Sequence, residues 1–193
     1  MFFSDTFLKS LTQFEVTGDF LPFTSRDILK VEDYVAQLLA NLKKNPHLLV
    51  SDQDIYSSFI QVKISKSDKS DTKVTQQGTG IIEHTTSLSL YFCTLAPYWF
   101  YGACNWSTNW ISCIGGSCTG GSSCFLEPED FARVDHGLWN AEIEAIQTIT
   151  QNFNYTLLSV ESLIQPAPAY LDIQTILADK PYRVFDCFFY WMD

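Results

Sequence analysis

Thr85-Thr86-Ser87-Leu88-Ser89-Leu90-Tyr91-Phe92-Cys93 alternates Leu88, Leu90 and Phe92 against Ser87, Ser89 and Tyr91, the two-residue period of a β-strand with one apolar face. That strand decides the fold class. Between Lys73 and Glu127 the only formal charge is Glu83, and Ser, Thr, Gly, Cys and aromatic residues fill the rest, a composition of strands and turns rather than helices. Pro97 ends the strand. Tyr98-Trp99-Phe100-Tyr101 and Trp106 to Cys113 read as two further short strands, because aromatic and β-branched side chains pack well on a pleated surface. Upstream, Ile55 to Ile64 closes with Ile60, Val62 and Ile64 alternating against Gln61 and Lys63, a half-buried strand, and the polar run Ser65 to Gln77 reads as a solvated loop or hairpin tip.

Helices are expected on both flanks of this sheet. Ile28, Val31, Val35, Leu38 and Leu42 recur at spacings of three and four, Thr24 with Asp27 resembles a capping box, and Asn45-Pro46 stops the helix after Lys43 and Lys44. A second start, Glu127-Pro128-Glu129-Asp130-Phe131, precedes a longer helix from His136 capped by Asp135, with Trp139, Ile143, Ile146 and Phe153 on its inner face. Tyr155 to Val160 is a candidate strand, and Pro166 to Pro168 a break. The chain closes on Tyr182 to Trp191, where Val184, Phe185, Phe188, Phe189 and Trp191 predict a strand tied into the core. The expected architecture is α+β: a single domain over 1–193, a mainly antiparallel sheet, two main flanking helices (25–45 and 136–153) and a Cys/Gly-rich loop at about 113–126.

Composition limits the function. With 193 residues, 46% of them hydrophobic, the chain is long enough to bury its own core without a metal or disulfide. Lys and Arg number 12 against 22 Asp and Glu, a formal charge of -10, which excludes a nucleic-acid binder that gains affinity by neutralising phosphates. No apolar run approaches the roughly 20 residues of a membrane span, and the first residues lack a basic, apolar leader pattern. A soluble, cytoplasmic protein is expected.

Candidate chemistry centres on Cys113-Ile-Gly-Gly-Ser-Cys118-Thr-Gly-Gly-Ser-Ser-Cys124, an imperfect tandem of Cys-x-Gly-Gly-Ser. Zinc ligands commonly come in pairs two to four residues apart, and the spacings here, with Cys104 nine residues upstream, are a poor match, so no metal and no cofactor is expected. Gly115, Gly120 and Ser122 fall where the glycines and hydroxyl of a phosphate loop would fall, but Gly121 stands at the lysine position. Cys104 or Cys118 with His136 is the one nucleophile and base pairing worth testing; His47 and His84 read as surface residues. A cytosolic thiol is expected to stay reduced.

The last block of the chain is the most acidic: residues 134–193 hold 8 acidic and 2 basic side chains. Asp135, Glu142, Glu144, Glu161, Asp172 and Asp179 are therefore the expected partner-binding residues, and the expected partner is a basic protein. The favoured reading is a small binding protein of the immunity or antitoxin kind that masks a basic toxin. The rivals are a thiol- or zinc-dependent enzyme at the Cys/Gly loop and an assembly module using exposed aromatics; the opposing expectation is that the aromatics are core.

Overall fold

A computed structural model describes residues 3–77, 80–111, 117–121 and 125–192. The fold is α+β, with one mixed sheet and helices on both of its faces. Strands β1 (Leu49–Ile55), β2 (Phe59–Ser65), β4 (Gly80–Cys93), β5 (Tyr98–Ile111) and β6 (Ser117–Gly121) follow one another in the order β1-β2-β4-β5-β6, while β3 (Thr72–Gln77) pairs with β4 and the two-residue β7 (Thr156–Leu157) pairs with β5. All neighbours are antiparallel except β5 and β7. Helices α1 (Asp5–Thr12), α2 (Ile28–Lys44), α3 (His136–Asn152), α4 (Val160–Leu163) and α5 (Val184–Phe188) complete the chain.

β4 and β5 are each 14 residues long and pair from Phe92 with Trp99 to Ile81 with Trp110. The two short strands expected after Pro97 are thus one continuous strand. β4 serves two neighbours on one edge, β2 along Leu88 to Cys93 and β3 along Gly80 to Thr85. Part of the expected loop at 65–77 is therefore a strand.

Both faces of the sheet body are covered. On one face Ile60, Val62, Leu88, Leu90, Phe92 and Trp99 join Val31, Val35 and Leu38 of α2 and Trp139, Ile143 and Ile146 of α3 in a single buried core. On the other, Phe59, Tyr91 and Phe100 meet Phe185 and Phe189, with ring centroids 5.3 to 5.9 Å apart for the Phe59–Phe189, Tyr91–Phe189 and Phe100–Phe185 pairs. This second layer corrects the expectation of a half-buried β2: Phe59 to Ile64 are buried without interruption, Gln61 and Lys63 included. Where the 3-10 turn Pro128–Arg133 crosses β5, the strand carries Gly102, and a Cβ there would stand 3.0 Å from that of Asp130.

The C-terminal segment is a helix, not the expected strand. Val184, Phe185, Cys187, Phe188, Phe189 and Tyr190 are all buried, so the run shows no period by which a helix and a strand could be distinguished. Asp186 decides it locally, its carboxylate accepting from the Arg183 N–H at 2.7 Å to cap the helix start. The segment is nonetheless tied into the core as expected: Ser58 Oγ accepts from Tyr190 N at 2.8 Å, and the Tyr190 hydroxyl donates to the Leu11 carbonyl at 2.7 Å. Asp27 itself, not Thr24, is the N-cap of α2, accepting from Leu29 N at 3.2 Å.

Candidate functional site

The expected acidic residues do not converge on one face. Asp135 caps α3, accepting from Gly137 N at 2.9 Å and Leu138 N at 3.2 Å. Glu142 turns inward: Lys66 Nζ lies 2.6 Å from its Oε1 and 4.8 Å from the centre of the Trp139 ring, and its side chain is 12% exposed. Glu144 accepts from Asn140 at 2.8 Å, and Asp172 pairs with Lys180 at 2.8 Å. Glu161 and Asp179 are exposed, but Glu161 belongs to α4, which packs with α5 and the 3-10 turn on the opposite layer from α3.

The expected thiol chemistry fares no better. Cys104 is disulfide-bonded, with its partner side chain outside the described residues, which corrects the expectation of a reduced thiol there and removes it as a nucleophile. Burial pushes the thiols of Cys93 and Cys187 up to about 12, so neither offers a thiolate near neutral pH. His47, His84 and His136 are exposed, and no cluster of potential metal ligands occurs among the described residues. The phosphate-loop candidates Gly115 and Ser122, and the side chains of Cys113, Cys118 and Cys124, lie outside the described residues. The aromatic residues Tyr91, Phe92, Trp99, Phe100 and Tyr101 are core, and the side chains of Trp106 and Trp110 lie outside the described set.

An unsatisfied surface exists elsewhere, between α2 and the β1 edge. A cavity of about 380 Å³ opens there, floored by Leu39 and Ile60 and rimmed by Glu32 and Asp33 of α2. Phe14 and Ile28 also line it, and the same two side chains line a second cavity of about 340 Å³ that carries Glu15 and Arg26. The two cavities therefore adjoin across Phe14 and Ile28. Phe14 is 42% exposed and Ile55, at the end of β1, is 73% exposed. Glu15, Glu32 and Asp33 make no ion pair among the described residues.

Local sequence explains each part of this groove. Phe14 ends α1 in a Schellman turn, Glu15 N donating to Ser10 O at 2.9 Å and Phe14 N to Leu11 O at 3.0 Å, with Phe14 at φ 61 where glycine is the usual residue. A left-handed conformation costs a bulky side chain about 1–2 kcal/mol, and here it holds an aromatic ring at the groove mouth. Glu32 and Asp33 fall on the polar side of α2 as its periodicity dictates, on the flank nearest β1. Gln53 points to the same cavity, and its Oε1 is buried without a hydrogen-bond partner among the described residues. The Tyr56 ring turns to the opposite face of the sheet, stacked 4.7 Å from Phe59, and its hydroxyl is pushed up to about 12 by burial and then by the charges of Asp54 and Asp52. Glu32 and Asp33 were legible only as a solvated helix face, and α1 and β1 give no strong sequence signal: α1 lacks a glycine stop, and β1 carries Asp52 and Asp54.

Comparison with protein-family models, with curated proteins and with solved structures finds no match to this chain. Among the described residues no helix is long and apolar enough to cross a membrane. Function is therefore argued from the groove itself.

Proposed function

We propose that the protein is a binding protein that holds a basic protein partner in the groove between α2 and β1. One observation carries the reading: an apolar cavity of about 380 Å³ is rimmed by Glu32 and Asp33, carboxylates that nothing in the described fold neutralises. An apolar floor with an anionic rim suits an aliphatic side chain flanked by Lys or Arg, since burial supplies affinity and charge supplies orientation and encounter rate. The formal charge of -10 supports the same partner at long range. Exposed Glu144, Glu161 and Asp179 add to that field without forming the contact surface. An inhibitor of the immunity or antitoxin kind is the finer form of this proposal, with masking of a basic toxin as the activity. The Cys104 disulfide weighs against a strongly reducing compartment.

The test is affinity capture from the cells of origin with the wild-type chain and with Glu32→Lys plus Asp33→Lys. Proteins held at 0.05 M salt, released at about 1 M where the Debye length is about 3 Å, and lost on the double variant should be basic. Identical capture by both proteins, or captured proteins that are acidic, would overturn the reading.

A further inference from the structure

β1 is the terminal strand of the sheet, and its outer edge is free of pairing among the described residues. The hairpin register shows which of its backbone groups face outward. Tyr56 N donates to Phe59 O at 2.9 Å, and in an antiparallel pair the bonded residues alternate, so Asp54 and Asp52 point their backbone groups to β2 while Ile55 and Gln53 point theirs away. An independent contact agrees: the Gln53 N–H donates to the Asp52 carboxylate at 2.9 Å. The register thus directs Ile55 N–H, Ile55 C=O and Gln53 C=O away from β2, toward the open edge. The side chains of these same two residues line the acid-rimmed cavity, on the face that looks toward Glu32, Asp33 and Ala36.

The geometry points to strand addition: we infer that the partner contributes an extended segment which pairs with β1 at Gln53 and Ile55, sets one apolar side chain in the cavity under α2, and places Lys or Arg side chains two residues to either side of it on Glu32 and Asp33. This rests on the reading of the groove as the docking site and adds the conformation and sequence pattern of what docks. Main-chain bonds to an open edge give affinity, and the cavity selects every second side chain. Gln53 Oε1, buried and unpaired, supplies an acceptor for a donor of the incoming segment. A bulge between Val50 and Asp52 ends the regular edge, so the docking stretch is short, Asp52 to Ile55. On the other face Lys63 holds Asp52 at 2.9 Å and Asp54 at 3.8 Å, which keeps those two carboxylates out of the groove.

The probe is the synthetic peptide acetyl-Thr-Lys-Thr-Leu-Thr-Arg-Thr-amide, whose Lys, Leu and Arg share one face when extended, titrated into the isotopically labelled full chain and followed by amide chemical shifts and amide hydrogen exchange. Two further peptides carry N-methyl groups at the odd or at the even positions, because only one of the two sets of N–H groups faces β1. Expected are binding of the parent, a loss of at least tenfold for one methylated peptide and little change for the other, and slowed exchange at Ile55. Ile55→Pro removes an outward N–H that makes no bond to β2, so it should keep the melting temperature within a few degrees and lose the parent peptide. Equal binding of all three peptides to the α2–β1 groove would overturn strand addition while leaving the groove as a docking site. No shift in the groove at millimolar peptide would overturn both. A peptide-free dimer that protects Ile55 would overturn the inference in favour of a second copy as the occupant.

Discussion

Around Arg183 each carboxylate lies against an arginine, whereas around Phe14 the carboxylates are left open. Arg183 contacts Glu127 and Glu129, its Nη1 lying 3.5 Å from the latter, and its guanidinium stands 5.9 Å from the centre of the Phe185 ring. Its own backbone N–H is taken by Asp186, and Asp130 beside it accepts from Arg133 at 2.6 Å and from Glu127 N at 2.9 Å. The groove uses the same materials, with Phe14, Glu15, Glu32 and Asp33, yet these carboxylates make no ion pair among the described residues and Phe14 lies half in solvent. A carboxylate cluster closed on itself fastens chain segments together. A cluster left open beside an apolar cavity is a surface waiting for a partner, and variants at the two places should separate stability from binding.

The largest effect is expected in the closed region. Phe188 is fully buried, with ring centroids of Phe3 at 5.0 Å, Tyr98 at 5.4 Å and Phe7 at 6.0 Å, so it staples α1 and α5 to the sheet. Truncating a buried phenylalanine costs roughly 3–5 kcal/mol, so Phe188→Ala should lower the urea midpoint more than any other substitution considered, and deleting 182–193 should leave no folded protein. A truncated chain with an unchanged transition would mean the C-terminal segment is not structural.

Arg183 ranks next. Arg183→Met should cost about 1.5–3 kcal/mol, the range for hydrogen bonds to charged groups, because it strips a cation from the 5%-exposed Asp186. Asp186→Asn in the same chain should recover part of the loss, and the double-mutant cycle measures how much of the Arg183 contribution runs through that carboxylate.

Asp186 also sets a direction for pH. Burial raises its pKa above the ordinary carboxylate value, against the lowering by the Arg183 N–H and charge, so the folded chain binds the proton more tightly than the unfolded one. A raised carboxyl makes this group's contribution least favourable when it is fully ionised, and the contribution improves as pH falls through the raised pKa toward the unfolded value of about 3.9. The difference in urea midpoint between wild type and Asp186→Asn should therefore shift in favour of wild type as pH is lowered from 7 to 4.5. A constant difference would show that Asp186 titrates normally.

The sequence announced the central strand and the two long helices better than either the closed cluster or the open one. Leu88, Leu90 and Phe92 gave the central strand, and the three- and four-residue spacing from Ile28 to Leu42 and from Trp139 to Ile146 gave α2 and α3, because a periodic apolar face is a local signal. What failed was non-local. Ser87, Ser89 and Gln61 read as solvent-facing but lie under the second layer, whose main element is a segment about a hundred residues downstream with no readable period of its own. Glu142 read as surface until Lys66, 76 positions away, was seen to hold it. The groove was illegible for a related reason: Glu32 and Asp33 look like any polar helix face until an edge strand and the turn at Phe14 are placed beside them.

The smallest stability effect, and the sharpest cut between the two regions, is expected at Phe14. Glycine in its place removes a left-handed strain of about 1–2 kcal/mol and loses some apolar contact from a side chain already 42% exposed. It also adds freedom to the unfolded chain, worth roughly 0.5–1 kcal/mol against the fold. These terms oppose one another, so Phe14→Gly should leave the unfolding free energy within about 1 kcal/mol of wild type by urea titration. Binding has no such compensation, because the ring forms the wall shared by the two cavities and nothing else described occupies that position. Peptide affinity should fall at least tenfold while the fold is retained, the reverse of the pattern at Phe188 and Arg183. If Phe14→Gly binds the basic peptide as wild type does, the strained aromatic is a feature of the helix end alone, and the contrast between a closed and an open cluster no longer carries a functional meaning.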